Sequence, residues 1–185
     1  MFPNGIEADY KRIRRPAPRA RIMRHVPVRN NVTRLLDAKR IPYSVFELPP
    51  GKHSALEVAA LLGVDPSIVF KTIVIRREGS KRNLLVLVAA QQSVDLKRVA
   101  AFLGEKRVHL PTEREAETMT GLQAGGISPL ALLNRGFDVL IDEEARKHEQ
   151  VHVSGGRREL NIRIAVSDLL HVTGGRVARV VQDPA

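Results

Sequence analysis

Two runs, T-I-V-I at 72–75 and L-L-V-L-V-A at 84–89, constrain the fold of this chain more than any other feature. Both are β-branched or apolar throughout, the composition of strands. Glu78-Gly79-Ser80 lies between them and supplies the residues of a tight reversal, so the runs are expected to pair as a hairpin. The first run sits inside V-F-K-T-I-V-I at 69–75, which places Lys71 in the middle of an otherwise apolar segment. Strand alternation puts Lys71 on the face opposite Phe70 and Thr72. Phe70 can then anchor a core while Lys71 points elsewhere, into a pocket or, snorkelling, to the surface.

The segments around the hairpin alternate between helical and extended patterns. Asn30 or Asn31 can cap a short helix through Arg40, with Val32, Leu35 and Leu36 on one face, and Ile41-Pro42 ends it. Tyr43–Leu48 reads as a strand broken by Pro49-Pro50-Gly51. Ser54 and Glu57 have the spacing of a capping box for a helix that stops at Gly63. Asp95–Leu103 is amphipathic, with Leu96, Val99, Ala100 and Leu103 inward, and another helix is expected over Thr112–Met119. Further strands are expected at 138–141, 150–153, 160–166 and 176–181, and a last helix capped by Ser167-Asp168 runs through His171. About seven strands and four or five short helices in mixed order exclude both a regular βαβ repeat and an all-β sandwich. The expected fold is α+β: one compact domain with a mixed, curved, barrel-like sheet flanked by short helices.

The chain has 185 residues, enough for one domain, over residues 31–185. It has no cysteine, which removes disulfides, thiolate metal sites and thiol nucleophiles together. No apolar run approaches the length of a membrane span, and the N-terminus lacks the apolar stretch of a secretory leader. A cytoplasmic location is expected. Net charge is +10, which favours an anionic partner, nucleic acid first. Much of it is concentrated in residues 1–30, where eight Lys/Arg face only Glu7 and Asp9 among four prolines. That segment reads as a basic, flexible tail, either an electrostatic arm for RNA or a solvated extension.

His148-Glu149-Gln150-Val151-His152 matches the zinc-peptidase pattern H-E-x-x-H. Its chemistry needs both imidazoles on one helix face. Val151-His152-Val153 alternates like a strand instead, which would hold the two rings about 13 Å apart at roughly 3.3 Å per residue. No metal is expected. Two glycine-bearing loops stand out: Gly121 to Pro129, containing Gly125-Gly126-Ile127-Ser128-Pro129, and Ser154-Gly155-Gly156-Arg157-Arg158. Such loops can turn backbone N–H groups toward a carbonyl or phosphate oxygen, and each is also a common hairpin turn.

Taken together, V-F-K-T-I-V, D-L-K-R-V-A-A-F-L-G, T-G-L-Q-A-G-G-I-S-P-L and V-H-V-S-G-G-R-R-E-L-N-I resemble the YbaK/EbsC family. That family holds free-standing Cys-tRNA(Pro) deacylases, related trans-editing proteins and the editing domain of bacterial prolyl-tRNA synthetases. The resemblance covers residues 32–181. It implies a compact α+β fold and hydrolysis of the aminoacyl ester at the 3′ end of a mischarged tRNA, Cys- or Ala-tRNA(Pro), without a cofactor. It implies Lys71 and Gly125 as catalytic residues. Thr72, Gly126, Ile127, Ser128, Pro129, Ser154, Gly155, Gly156 and Asn161 are the implied substrate-binding residues. The implied chemistry is substrate-assisted, the domain acting by positioning and size selection. The implied partners are the tRNA acceptor end and, as a candidate, prolyl-tRNA synthetase.

Two positions depart from the cysteine-specific pattern. Leu48 stands where a tyrosine is usual, and Asn161 where an acidic residue is usual. Asn161 keeps hydrogen-bonding capacity without charge, so cysteine and alanine stay open as the amino acid removed. The alternative function is a non-catalytic tRNA- or nucleotide-binding domain with the same fold.

Overall fold

The computed structural model describes residues 28–183. The first 27 residues of the basic segment assigned to 1–30 lie outside this range. Asn30 opens the fold as the N-cap of helix α1 (Asn31–Ala38): its side chain accepts from the Thr33 amide, and the Thr33 hydroxyl accepts from the Asn30 amide. The helix stops short of the expected Arg40, whose φ of +55° cannot continue it. Strand β1 (Tyr43–Glu47) follows. Helix α2 (Ala55–Leu62) starts on the Ser54/Glu57 capping box and ends at Gly63, as the spacing predicts.

The expected hairpin is present and longer than its apolar runs. Strands β2 (Phe70–Arg77) and β3 (Asn83–Ala89) pair antiparallel, from Phe70 opposite Ala89 to Ile75 opposite Leu84. Six of the seven β3 residues are buried, because β3 is a central strand covered on both faces. Helix α3 (Leu96–Leu103) is capped by Asp95, and helix α4 (Glu113–Thr120) by Thr112 with Glu115. Strand β5 (Phe137–Asp142) joins β3 in parallel. Strands β6 (Gln150–Ser154) and β7 (Leu160–Ala165) form a second antiparallel pair. Helix α5 (Val166–Thr173) begins at Val166 without a side-chain cap, so Ser167-Asp168 lie inside it. The Val166 amide is satisfied by the Glu149 carbonyl instead (3.0 Å), an extension of the strand pairing that no local signal announces.

Strand β8 (Arg176–Ala178) is shorter than expected, and a two-residue strand β4 (Val108–His109) on Arg76–Arg77 was not foreseen. The eight strands make two sheets: β1-β7-β6, antiparallel, and β4-β2-β3-β5-β8, mixed. A single parallel bridge, Val69 to His152, joins them. The fold is the expected single α+β domain, but the sheet does not close, so it is barrel-like only loosely. One core draws Leu85, Leu87 and Ile141 from the larger sheet and Val153, Ile162 and Ile164 from the smaller, with Leu36 of α1 and Leu169 of α5. A second core lies under α3 on the other face of the larger sheet.

The H-E-x-x-H segment is not helical across its length. Glu143–Lys147 is a single 3-10 stretch, His148 is extended and His152 is in β6. Among the described residues no cluster of three or more His, Asp or Glu is placed to hold a metal ion. Nor is any helix among them long and apolar enough to cross a membrane.

Candidate active site

A cavity of about 240 Å³ opens where the two sheets meet. It brings together six of the residues singled out in the sequence: Lys71, Thr72, Gly125, Ile127, Ser154 and Asn161. Three consecutive residues of β2, Phe70, Lys71 and Thr72, line it, so the cavity wraps the strand's edge and does not lie flat on one face. Phe70, 3% exposed, is anchored in the core.

Lys71 is half-buried. Its Nζ donates to the Ala90 carbonyl (3.0 Å), and no carboxylate among the described residues pairs with it. Burial pulls its pKa below the ordinary lysine value. The ammonium thus keeps donors free beside a cavity while carrying a desolvation cost that an anionic ligand would offset. Next to it the Thr72 hydroxyl is buried without a hydrogen-bond partner. Buried hydroxyls are ordinarily satisfied, and this one belongs to a residue that lines the cavity.

The loop after α4 supplies the opposite wall. Gly125 has φ +87°, a conformation that a side chain would strain. Among the described residues its N–H has no backbone partner, whereas the Gly126 N–H is taken by the Gln123 carbonyl (2.8 Å). A Cβ on Gly126 would come within 3.1 Å of the Arg157 backbone, so the two glycine loops are packed against each other. The loop is pinned just ahead of Gly125. The Ala124 amide donates to Glu117 (2.8 Å), and Arg158 Nε donates to the Ala124 carbonyl (2.8 Å). Glu117 and Arg158 face each other at 3.7 Å.

The third wall comes from β6 and β7, where Ser154 and Asn161 are directly opposite in register. Asn161, 4% exposed, has its Oδ1 2.7 Å from Nδ1 of His152. Leu48, 7% exposed, is a lining residue, and the first turn of α2 adds Ala55 and Val58.

The remaining sequence candidates stand behind this surface. Ser128 is fully buried, with its hydroxyl unpartnered, and Pro129 is buried beside it, so both shape the loop from the core side. Gly155 is buried with its amide on the Leu160 carbonyl (2.8 Å), and the Gly156 amide reaches the Ser154 hydroxyl (3.3 Å). Gly126, Ser128, Pro129, Gly155 and Gly156 therefore do not line the cavity. Sequence reading missed His53, a lining residue, and the Glu117–Arg158 clamp. The capping box at Ser54 locates the turn carrying His53, but nothing local says that this turn faces Lys71. A larger depression of about 650 Å³, lined by Gln92, Asp142, Glu144 and Arg179, shares none of the candidate residues.

Known proteins resemble this chain in sequence and in fold. A protein of Enterococcus faecalis named "Putative Cys-tRNA(Pro)/Cys-tRNA(Cys) deacylase EbsC" is 30% identical over 155 residues, covering 82% of this chain and 93% of its own. A proline--tRNA ligase of Desulforamulus reducens is 33% identical over 85 residues, 46% of this chain but 15% of the ligase. A crystal structure of "a putative trans-editing enzyme for prolyl tRNA synthetase" superposes with a TM-score of 0.71 at 25% identity, over 83% of this chain and 96% of that one. The aminoacyl-tRNA editing domain matches residues 49–172, and with it the chain belongs to the aminoacyl-tRNA editing domain family.

Proposed function

We propose that the chain is a trans-editing aminoacyl-tRNA deacylase that removes a small amino acid, cysteine or alanine, from mischarged tRNA(Pro). The observation that carries this reading is the cavity itself. It sets an unpaired, partly desolvated lysine against a glycine loop with a free amide, and among the described residues no hydroxyl on its walls is hydrogen-bonded to a histidine or lysine. Such a site can bind and orient an ester, and it leaves the chemistry to water and to the substrate.

In the proposed mechanism Lys71 Nζ binds a phosphate oxygen of the terminal nucleotide, keeping its bond to Ala90. The Gly125 N–H donates to the ester carbonyl and stabilises the negative charge that develops when water adds. The bond from the carbonyl carbon to the ribose oxygen breaks. That oxygen takes up a proton, which leaves free amino acid and uncharged tRNA. The neighbouring ribose hydroxyl orients the water, and the Thr72 hydroxyl and the Asn161 carboxamide contact the aminoacyl group. Leu48, Ala55 and Val58 close the cavity with apolar surface, which limits the size of the side chain admitted.

The identity to a segment of a proline--tRNA ligase supports tRNA(Pro) as substrate and makes prolyl-tRNA synthetase the candidate partner. Incubation with tRNA(Pro) charged with cysteine or alanine tests the reading. Loss of the aminoacyl group is expected. Tight binding without hydrolysis of any mischarged species would leave a tRNA-binding domain and overturn the enzyme.

A further inference from the structure

The buried pair His152 and Asn161 has one end that lines the cavity. His152 is 1% exposed and Asn161 4%. In the β6–β7 register Ser154 stands opposite Asn161, and His152, two residues back on the same face, meets Asn161 diagonally. Nδ1 of the imidazole and Oδ1 of the carboxamide are 2.7 Å apart. Phe46 is the β1 partner of Asn161, and its ring packs on the imidazole with centroids 5.2 Å apart at 55°. The Arg163 guanidinium covers the Phe46 ring at 5.5 Å. The imidazole is therefore held between an aromatic ring and the carboxamide.

Oδ1 carries no hydrogen, so the contact requires a proton on Nδ1. Burial holds the His152 pKa below the ordinary value, so the ring is neutral at pH 7 and this is its single N–H. With Oδ1 engaged, the other end of the carboxamide is Nδ2. Asn161 lines the cavity, and among the described residues no side chain or backbone group accepts from Nδ2.

We propose that His152 is a positioning residue: its Nδ1–H holds Oδ1 of Asn161 and thereby presents the Asn161 Nδ2–H group to the cavity as a donor for an uncharged acceptor on the aminoacyl group. The proposal rests on the deacylase reading and adds how that site holds the aminoacyl group. A donor at this wall favours a carbonyl or a neutral amine and disfavours an ammonium, the reverse of what a carboxylate at position 161 would do.

Two measurements test it on the full chain. Long-range ¹⁵N–¹H correlation of the imidazoles reads the His152 tautomer directly and needs no substrate. A protonated Nδ1 with a bare Nε2 is expected, and the opposite tautomer overturns the proposal. The second measurement uses His152→Phe, which keeps the aromatic packing and removes Nδ1. It should lower kcat/KM on both Cys- and Ala-tRNA(Pro) by roughly 2- to 12-fold, the loss of one aligned hydrogen bond. In an Asn161→Ala background the same substitution should leave kcat/KM unchanged. An equal change in both backgrounds would make His152 merely structural and overturn the proposal. A wild-type protein that hydrolyses neither substrate would sink the deacylase reading, while the tautomer would still decide the orientation of Asn161.

Discussion

Replacing Lys71 by alanine separates binding chemistry from folding. In the proposed complex the ammonium makes a charge-assisted bond to a substrate phosphate, worth about 1.5–3 kcal/mol. Its loss lowers kcat/KM roughly 10- to 150-fold, because each 1.4 kcal/mol is a factor of ten. Stability should move little. Within the protein the side chain makes one hydrogen bond, to Ala90 at 3.0 Å, and carries an uncompensated desolvation cost that the substitution relieves. The linkage has a definite sign. The folded-state pKa of Lys71 lies below its unfolded value, so the unfolded chain binds more protons between the two. The destabilisation from this lysine is complete below the folded pKa and is relieved as pH rises toward the unfolded value. Lys71→Met should therefore be the more stable protein at neutral pH, with its advantage shrinking in alkali. Arginine should restore activity only in part, since a planar fork does not reproduce a compact charge. Steady-state deacylation of Ala-tRNA(Pro), with thermal unfolding monitored by circular dichroism, measures both quantities. A folded Lys71→Ala protein with wild-type kcat/KM would refute the assignment.

Three further outcomes are expected. Gly125→Ala should cost about 1–2 kcal/mol through its left-handed backbone; its new methyl meets Arg158 and Lys52 only at ordinary contact distances, so a folded protein with reduced kcat is expected from unfolding and turnover assays. Glu117→Ala frees the Ala124 amide and Arg158 together and should lower kcat more than it lowers the melting temperature; an unchanged kcat would mean that the clamp does not position Gly125. Removal of residues 1–27, with their seven Lys/Arg, should weaken tRNA binding and flatten its salt dependence while sparing hydrolysis of a short aminoacyl-RNA mimic; an identical salt slope would mark the segment as inert.

What was legible in the sequence was local. The caps at Asn30 and Ser54 each depend on residues three positions apart and form as the spacing predicts, and the helices expected from Asp95 and Thr112 begin there with those residues as caps. The β2–β3 hairpin is likewise set by adjacent apolar runs and the turn between them. The division into two sheets was not legible, because it turns on one long-range bridge from Val69 to His152. Strand β4 is two residues long and exists only because Arg76–Arg77 offer an edge. At the site, Lys71 was visible as a charged residue inside an apolar strand, and Asn161 through the family resemblance. Ser128 and Pro129 read as loop residues but are buried, since the whole stretch after Gly126 turns inward. The Arg158–Ala124 bond joins positions 34 apart, and no local pattern encodes it.

In the proposed mechanism the cavity positions an aminoacyl ester and lets the substrate's own ribose hydroxyl assist the attacking water. Single-turnover hydrolysis of Ala-tRNA(Pro) ending in adenosine, beside the same tRNA ending in 2′-deoxyadenosine, tests it most directly. Alanine carries no thiol, so side-chain assistance is absent and the ribose hydroxyl is isolated by its removal. Rapid release of alanine is expected from the first, and a rate lower by about 10²- to 10⁴-fold from the second, the usual worth of a positioned proton-transfer group. Equal rates on the two tRNAs would contradict it and place the assisting group on the protein.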